Sequence, residues 1–130
     1  MLLIGHRFIP SKSFYHIHSI ESISNTPASS TIYINFDEKN LDIIEHAKLN
    51  QISIAIAVTT VSQVIYASSL QADYIVVEES LSKVAQQIAN EYLFDAKILA
   101  LLENEQEIEP FALAGIDGVI FSNAIIKTTS

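Results

Sequence analysis

The chain of 130 residues contains no cysteine. It therefore forms no disulfides and offers no thiolate ligands for zinc or iron–sulfur clusters, which fits a reducing compartment. Its apolar start, Met1–Ile4, is shorter than the apolar core of about 7–15 residues that a signal peptide needs. No uninterrupted apolar run approaches the about 20 residues of a membrane helix. We therefore expect a cytoplasmic protein without a membrane partner.

Glycine and basic residues are also scarce. The three glycines, Gly5, Gly115 and Gly118, form neither GxGxxG nor GxxxxGK[ST], the motifs that let a backbone approach phosphate groups closely. Seven basic residues face fifteen acidic ones, which gives a formal net charge of −8. Such a charge repels phosphate backbones, so we expect no nucleic-acid partner. No GxSxG nucleophile motif is present either.

Apolar residues, in contrast, are abundant, at 49% of the chain against 17% charged. The length predicts one domain spanning residues 1–130. Two features would use this apolar excess: a sheet covered on both faces, and an exposed patch that meets a second subunit. We therefore expect a homo-oligomer, most simply a dimer.

The clearest pattern is an internal repeat over residues 31–126. Five apolar, β-branched runs begin at intervals of about 21–23 residues, the length of one strand, one short helix and two loops. These predicted strands are Thr31–Phe36, Ile52–Val58, Tyr74–Val77, Lys97–Leu102 and Gly118–Phe121. The segments between them have apolar residues at helical spacing, with possible capping boxes starting at Thr60 and Asn104.

This alternation predicts an α/β fold with a mainly parallel sheet. We expect a Rossmann- or flavodoxin-like three-layer sandwich, with a half-barrel as the alternative. Five units do not close a barrel of eight, and an open half-barrel would leave its inner face wet. Residues 1–30 are irregular, with a short strand at Leu2–Ile4 and an alternating segment at Phe14–Ile20.

Two stretches resemble known families. Residues 114–125, Ala-Gly-Ile-Asp-Gly-Val-Ile-Phe-Ser-Asn-Ala-Ile, are similar to the later units of phosphate-binding (β/α)8 barrels. This resemblance implies half of such a barrel, with Ser122 and Asn123 offered to an anion. Residues 31–93 resemble the second half of the regulatory nucleotide-binding domains of potassium channels and transporters. The glycine motifs of both families are absent.

Parallel α/β folds bind ligands at the carboxyl ends of their strands. The candidate ligand-binding residues there are Asp37, Thr59, Thr60, Glu78, Glu103, Ser122 and Asn123, with Glu105 as a further rim carboxylate. They suggest an anion at Ser122 and Asn123, or a divalent cation among the carboxylates. The simpler alternative is that the carboxylates stabilise helix N-termini.

His16 and His18 are two residues apart on a predicted strand, so their side chains share a face. Two such imidazoles can chelate zinc or nickel, with His6 or Glu21 as a third ligand. The alternative is a pair of solvated histidines on an edge strand.

Three functions follow from these observations. The first is a non-enzymatic regulatory or interaction domain that self-associates, since catalytic motifs are missing. The second is a domain that binds a small ligand, either an anion or a divalent cation. The third is a metal-dependent hydrolase or lyase using Asp37, Glu78 and Glu103. We expect no cofactor for the first function. For the second and third functions, the only cofactor that we consider is a divalent metal.

Overall fold

The computed structural model describes residues 1–104 and 107–128, so the predicted rim residue Glu105 lies outside the described residues. Within this part of the chain, eight strands alternate with helices. The strands are β1 Leu2–Ile4, β2 Phe14–His16, β3 Thr31–Asn35, β4 Ile54–Ala57, β5 Tyr74–Val77, β6 Lys97–Leu102, β7 Gly118–Phe121 and β8 Ile125–Lys127. The α-helices are α1 Leu41–Leu49, α2 Val61–Ser69, α3 Glu79–Glu91 and α4 Ile108–Leu113. All five predicted strands are confirmed, and none of these helices has the length and apolar character needed to cross a bilayer.

The strands form one sheet in the order β1-β7-β6-β5-β4-β3-β2-β8, and every neighbouring pair is parallel. The predicted parallel α/β fold of βα repeats is therefore confirmed. Strands β3 to β7 are neighbours in chain order, and each is joined to the next by a helix, the usual crossover connection between parallel strands.

The sheet is strongly curled. Strand β7 holds the second position and β8 the eighth, yet only the short 3-10 segment Ser122–Ala124 separates them. The rings of Phe14 on β2 and Tyr74 on β5, three strands apart, have centroids 5.0 Å from each other. Of the two predicted arrangements, this is the half-barrel, and curling brings side chains of distant strands into contact across its inner face.

That inner face is dry, so the expectation of a wet half-barrel interior was wrong. Along each strand the side chains alternate: Ile32 and Ile34 pack outward against the helices, whereas Tyr33 between them points inward. The inner cluster consists of Ile4, Phe14, Tyr33, Ala55, Val76, Leu99, Ile120 and Ala124. Three members, Ile4, Phe14 and Ala124, lie outside the five repeated strands. They cover the inner face of those strands and complete the burial of the inner cluster.

All four helices end in the same way. Residues Gln51, Gln71, Leu93 and Gly115 have positive φ angles of 55°, 64°, 54° and 76°. The N–H of the residue after each donates to a carbonyl inside the helix, as in the Schellman motif. Gly115 is the one glycine among these four equivalent positions.

Two aspartates that enter strands also have matching roles. The Asp73 carboxylate accepts a hydrogen bond of 2.9 Å from the backbone N–H of Ile54, and Asp117 accepts one of 2.9 Å from Ile98. Each carboxylate links the start of its own strand to the start of the neighbouring strand.

Candidate functional site

A polar pocket lies where β1, β6 and β7 end, on the carboxyl edge of the curled sheet. Its volume is about 360 Å³. We call it the rim pocket; it is lined by Gly5, His6, Arg7, Glu103, Asn104, Phe121 and Asn123. Three separate segments of the chain contribute to it, because parallel strands bring their carboxyl ends to one edge.

Gly5 lets the two ends of the chain approach each other. Its carbonyl accepts a hydrogen bond of 3.1 Å from the side-chain amide of Asn123, and its N–H donates to Ser11 Oγ at 2.9 Å. A Cβ atom on Gly5 would lie 2.7 Å from the Cβ of Ala124, and φ at Gly5 is +90°. Both the space and the backbone conformation therefore require glycine at the end of β1.

Glu103 is held by the turn that follows β7. The Ser122 hydroxyl donates a hydrogen bond of 2.8 Å to Glu103 Oε2. This contact fixes one oxygen of an exposed carboxylate at the pocket wall. The other carboxylate oxygen, Oε1, does not take part in this hydrogen bond. It can therefore accept a hydrogen bond from a hydroxyl or ammonium group of a ligand.

His6 and Arg7 also line the pocket, and aromatic rings lie beside them. The His6 ring lies 5.7 Å edge-on from Phe121 and 5.1 Å from Phe8, and the Arg7 guanidinium lies 4.2 Å above the Phe8 ring. The backbone N–H of Phe8 donates to His6 Nδ1 at 3.1 Å. Nδ1 therefore acts as an acceptor within this segment of the chain.

Three of the seven predicted ligand residues, Glu103, Ser122 and Asn123, come together at or beside this pocket. The remaining four do not line it. Asp37 accepts from the N–H of Lys39 at 3.1 Å, and Thr60 accepts from the N–H of Gln63 at 3.1 Å. Both therefore stabilise helix starts. This agrees with the simpler alternative for the carboxylate of Asp37 and with the capping box predicted at Thr60.

The last two predicted rim residues follow the same trend. The N–H and hydroxyl of Thr59 both donate to the Gln63 side chain, at 2.8 and 3.2 Å. Glu78 is exposed at the N-cap position of α3, where its negative charge interacts favourably with the helix dipole. Both residues therefore lie at helix N-termini and outside the rim pocket.

His16 and His18 are indeed neighbours, with ring centroids 4.6 Å apart. The His16 ring also meets Tyr33 edge-on at 5.1 Å. Burial, followed by the charges of His18 and Lys127, lowers the pKa of His16 below its ordinary value of 6.5. Burial likewise raises the pKa of Tyr33 above 10.0. Both side chains are thus held towards their neutral forms.

Within residues 1–104 and 107–128, no three His, Asp or Glu side chains form a group able to hold a metal ion. The carboxylates of Asp37, Glu78 and Glu103 therefore do not converge on one cation. Neither His6 nor Glu21 completes a three-ligand set with His16 and His18. The two histidines remain a pair.

Sequence reasoning missed Gly5, His6, Arg7, Asn104 and Phe121 as pocket residues. One pattern in the sequence could have revealed two of them. The apolar segment Leu2–Ile4 is followed directly by Gly-His-Arg, so a strand ends in polar residues there. Had β1 been counted as a parallel member of the sheet, the rule that located Glu103 would have located His6 and Arg7.

In comparisons with known proteins, the chain matches no protein-family model and no curated protein sequence.

Proposed function

We propose that this protein binds a small polar metabolite in the rim pocket, and that the metabolite carries an anionic group together with a hydroxyl or ammonium group. The observation that carries the proposal is the convergence of His6, Arg7, Glu103, Asn104 and Asn123 from three segments of the chain on one pocket. Polar side chains that converge at the carboxyl edge of a parallel sheet are the usual arrangement of a ligand site.

The pocket offers two chemically different kinds of group. Arg7, with the amides of Asn104 and Asn123, supplies donors suited to a carboxylate or phosphate. Glu103 supplies an acceptor that Ser122 already orients. A ligand that uses both kinds of group carries an anionic group and a hydrogen-bond donor, as hydroxy acids, amino acids and sugar phosphates do.

The size of the pocket agrees with such a ligand. A volume of about 360 Å³ is at the lower end of the range for small-molecule sites, which is about 300–1,000 Å³. The interior of the curled sheet is filled by the inner cluster, so a ligand would sit at the rim and not inside the barrel. Binding at an open rim favours small, polar, water-soluble molecules.

A thermal-shift and ligand-observed NMR screen tests the proposal. The panel contains inorganic phosphate, hydroxy acids, amino acids and sugar phosphates, and the variants are Glu103→Gln and Asn104→Ala. The matched control is Glu78→Gln, which changes a rim carboxylate outside the pocket. We expect a hit whose effect is reduced in both pocket variants and unchanged in the control. Equal binding by parent and pocket variants, or no hit in any class, would contradict the proposal.

We also propose that the protein self-associates through the amino ends of strands β6 and β7, at the edge of the sheet opposite the rim pocket. Three large apolar side chains there are strongly exposed: Tyr92 at 71%, Leu93 at 85% and Leu113 at 82%. They follow α3 and end α4, the helices that lead into the neighbouring strands β6 and β7. Leu93 in addition has a left-handed backbone, which costs a leucine about 1–2 kcal/mol.

Sedimentation velocity across micromolar concentrations tests self-association. The double variant Leu93→Asp/Leu113→Asp introduces charge into the face, and Leu49→Asp, an equally exposed leucine at the end of α1, is the control. We expect a dimer for the parent and the control, and a monomer for the double variant. If the parent protein stays monomeric, the proposal of self-association is wrong.

Two further expectations belong to the proposal. A cytoplasmic location is part of it, since the ligand is a water-soluble metabolite. The metal-dependent hydrolase or lyase is the least supported alternative, because the described residues bring no three metal ligands together.

A further inference from the structure

His16 and His18 lie near the end of β2, away from the rim pocket. Their ring centroids are 4.6 Å apart, and the ring planes are tilted by 39°. A ring nitrogen lies about 1.2 Å from its centroid, and metal–imidazole bonds are about 2.0–2.1 Å long. Two rings at this separation can therefore turn their nitrogens towards one ion without moving the backbone.

The surroundings keep the pair available as ligands. His18 is exposed, whereas His16 is half-buried against the edge of Tyr33. The backbone carbonyl of His16 accepts from both the N–H and the hydroxyl of Thr128, at 3.2 and 2.9 Å, which anchors this end of β2 to the chain after β8. The backbone of His16 is thus fixed while the His18 ring remains open to solvent.

One nearby charge opposes a cation. Lys127 is the register partner of His16 on β8. The Tyr33 ring, which meets His16 edge-on, adds no charge, so Lys127 weakens cation binding without blocking it.

We propose that His16 and His18 form a two-imidazole chelate for a divalent transition-metal ion of the copper, nickel and zinc class, with water in the remaining positions. Imidazole suits these three ions, and Cu²⁺ binds most tightly in the general order of affinities. Hard cations such as Mg²⁺ and Ca²⁺ prefer oxygen ligands and are not bound here. This site is independent of the rim pocket.

Isothermal titration calorimetry and electron paramagnetic resonance with Cu²⁺ test the site in the full chain. The variants are His18→Gln, which removes the exposed ligand, and His46→Gln, which removes a histidine of α1 as a matched control. We expect one Cu²⁺ per chain, with hyperfine coupling to two nitrogens. The affinity should fall at least about tenfold in His18→Gln, since even outer-shell changes cost about 10–100-fold, and remain unchanged in His46→Gln.

A third variant separates this chelate from a chance surface site. Lys127→Gln removes the nearby positive charge, so it should tighten Cu²⁺ binding. Mg²⁺ should give no heat with any variant. The proposal is overturned if the parent binds no Cu²⁺, or if His18→Gln binds it as the parent does. Melting curves confirm that each variant is folded.

Discussion

The side-chain amide of Asn123 donates a hydrogen bond of 3.1 Å to the carbonyl of Gly5, a residue 118 positions earlier in the chain. This contact joins the turn between β7 and β8 to the end of β1. It closes the curled sheet at the point where the rim pocket forms. The stability of the closure and the geometry of the pocket are therefore coupled at these two residues.

Replacing Gly5 by alanine should destabilise the fold markedly. The new Cβ would lie 2.7 Å from the Cβ of Ala124, and φ of +90° disfavours any side chain. We expect a loss of about 2–4 kcal/mol in the free energy of unfolding, measured by urea denaturation. Gly115→Ala is the control: its φ is +76° but its Cβ would meet nothing within 4 Å. It should cost only about 1 kcal/mol, and equal losses would disprove the steric argument.

Replacing Gln71 by glycine should stabilise the protein. Gln71 has φ of 64° in the Schellman motif after α2, a conformation that glycine adopts without steric cost. We expect a gain of about 0.5–1 kcal/mol, checked by the urea midpoint. Ser69→Gly, inside the last turn of the same helix, should instead lose about 0.5–1 kcal/mol. A loss for both variants would show that Gln71 is not strained.

Removing the carboxylate of Asp73 or of Asp117 should have similar effects, because the two side chains make equivalent hydrogen bonds of 2.9 Å. Each alanine variant leaves a strand N–H, of Ile54 or Ile98, without its acceptor. We expect a loss of about 1–2 kcal/mol for each. Thermal denaturation checks this against Glu109→Ala, an exposed acid on α4. A loss confined to one aspartate would refute the equivalence.

Stability should fall below neutral pH because of His16. Its pKa in the folded state lies below the ordinary value of 6.5, so the unfolded chain binds the proton more tightly. The contribution of neutral His16 is complete above pH 6.5 and is lost as the pH falls through the folded pKa. Urea midpoints between about pH 7.5 and 5.5 should therefore decrease less for His16→Gln than for the parent. Identical slopes would exclude His16 as the titrating group.

The repeat was predictable from local chemistry. Runs such as Tyr74–Val77 are continuous and apolar because these strands are buried on both faces, and short polar residues such as Asp73 mark where each strand begins. Thr60 was recognisable as a helix cap for the same reason, since its hydroxyl serves a backbone group only three residues away. These features depend on neighbours close in the chain.

The curling of the sheet was not predictable in the same way. It depends on the β7–β8 turn and on contacts such as Phe14 with Tyr74, whose residues lie far apart in sequence. The sequence indicated extended segments at Leu2–Ile4 and Phe14–Ile20 but not their places in the sheet, and these short strands, β1 and β2, help to bury the inner face. Only the pairing of β1 with β7 and of β2 with β8 reveals their role.

The amino-acid sequence by itself determined the strands β3 to β7, their common direction and the place of Glu103 at the carboxyl edge of the sheet. These features follow from apolar periodicity and helix caps, which depend on residues close together in the chain. The tertiary structure alone decided that His6 and Arg7 line one pocket together with Glu103. A parallel sheet gathers strand ends from any position in the chain, and which ends become neighbours depends on how far the sheet curls.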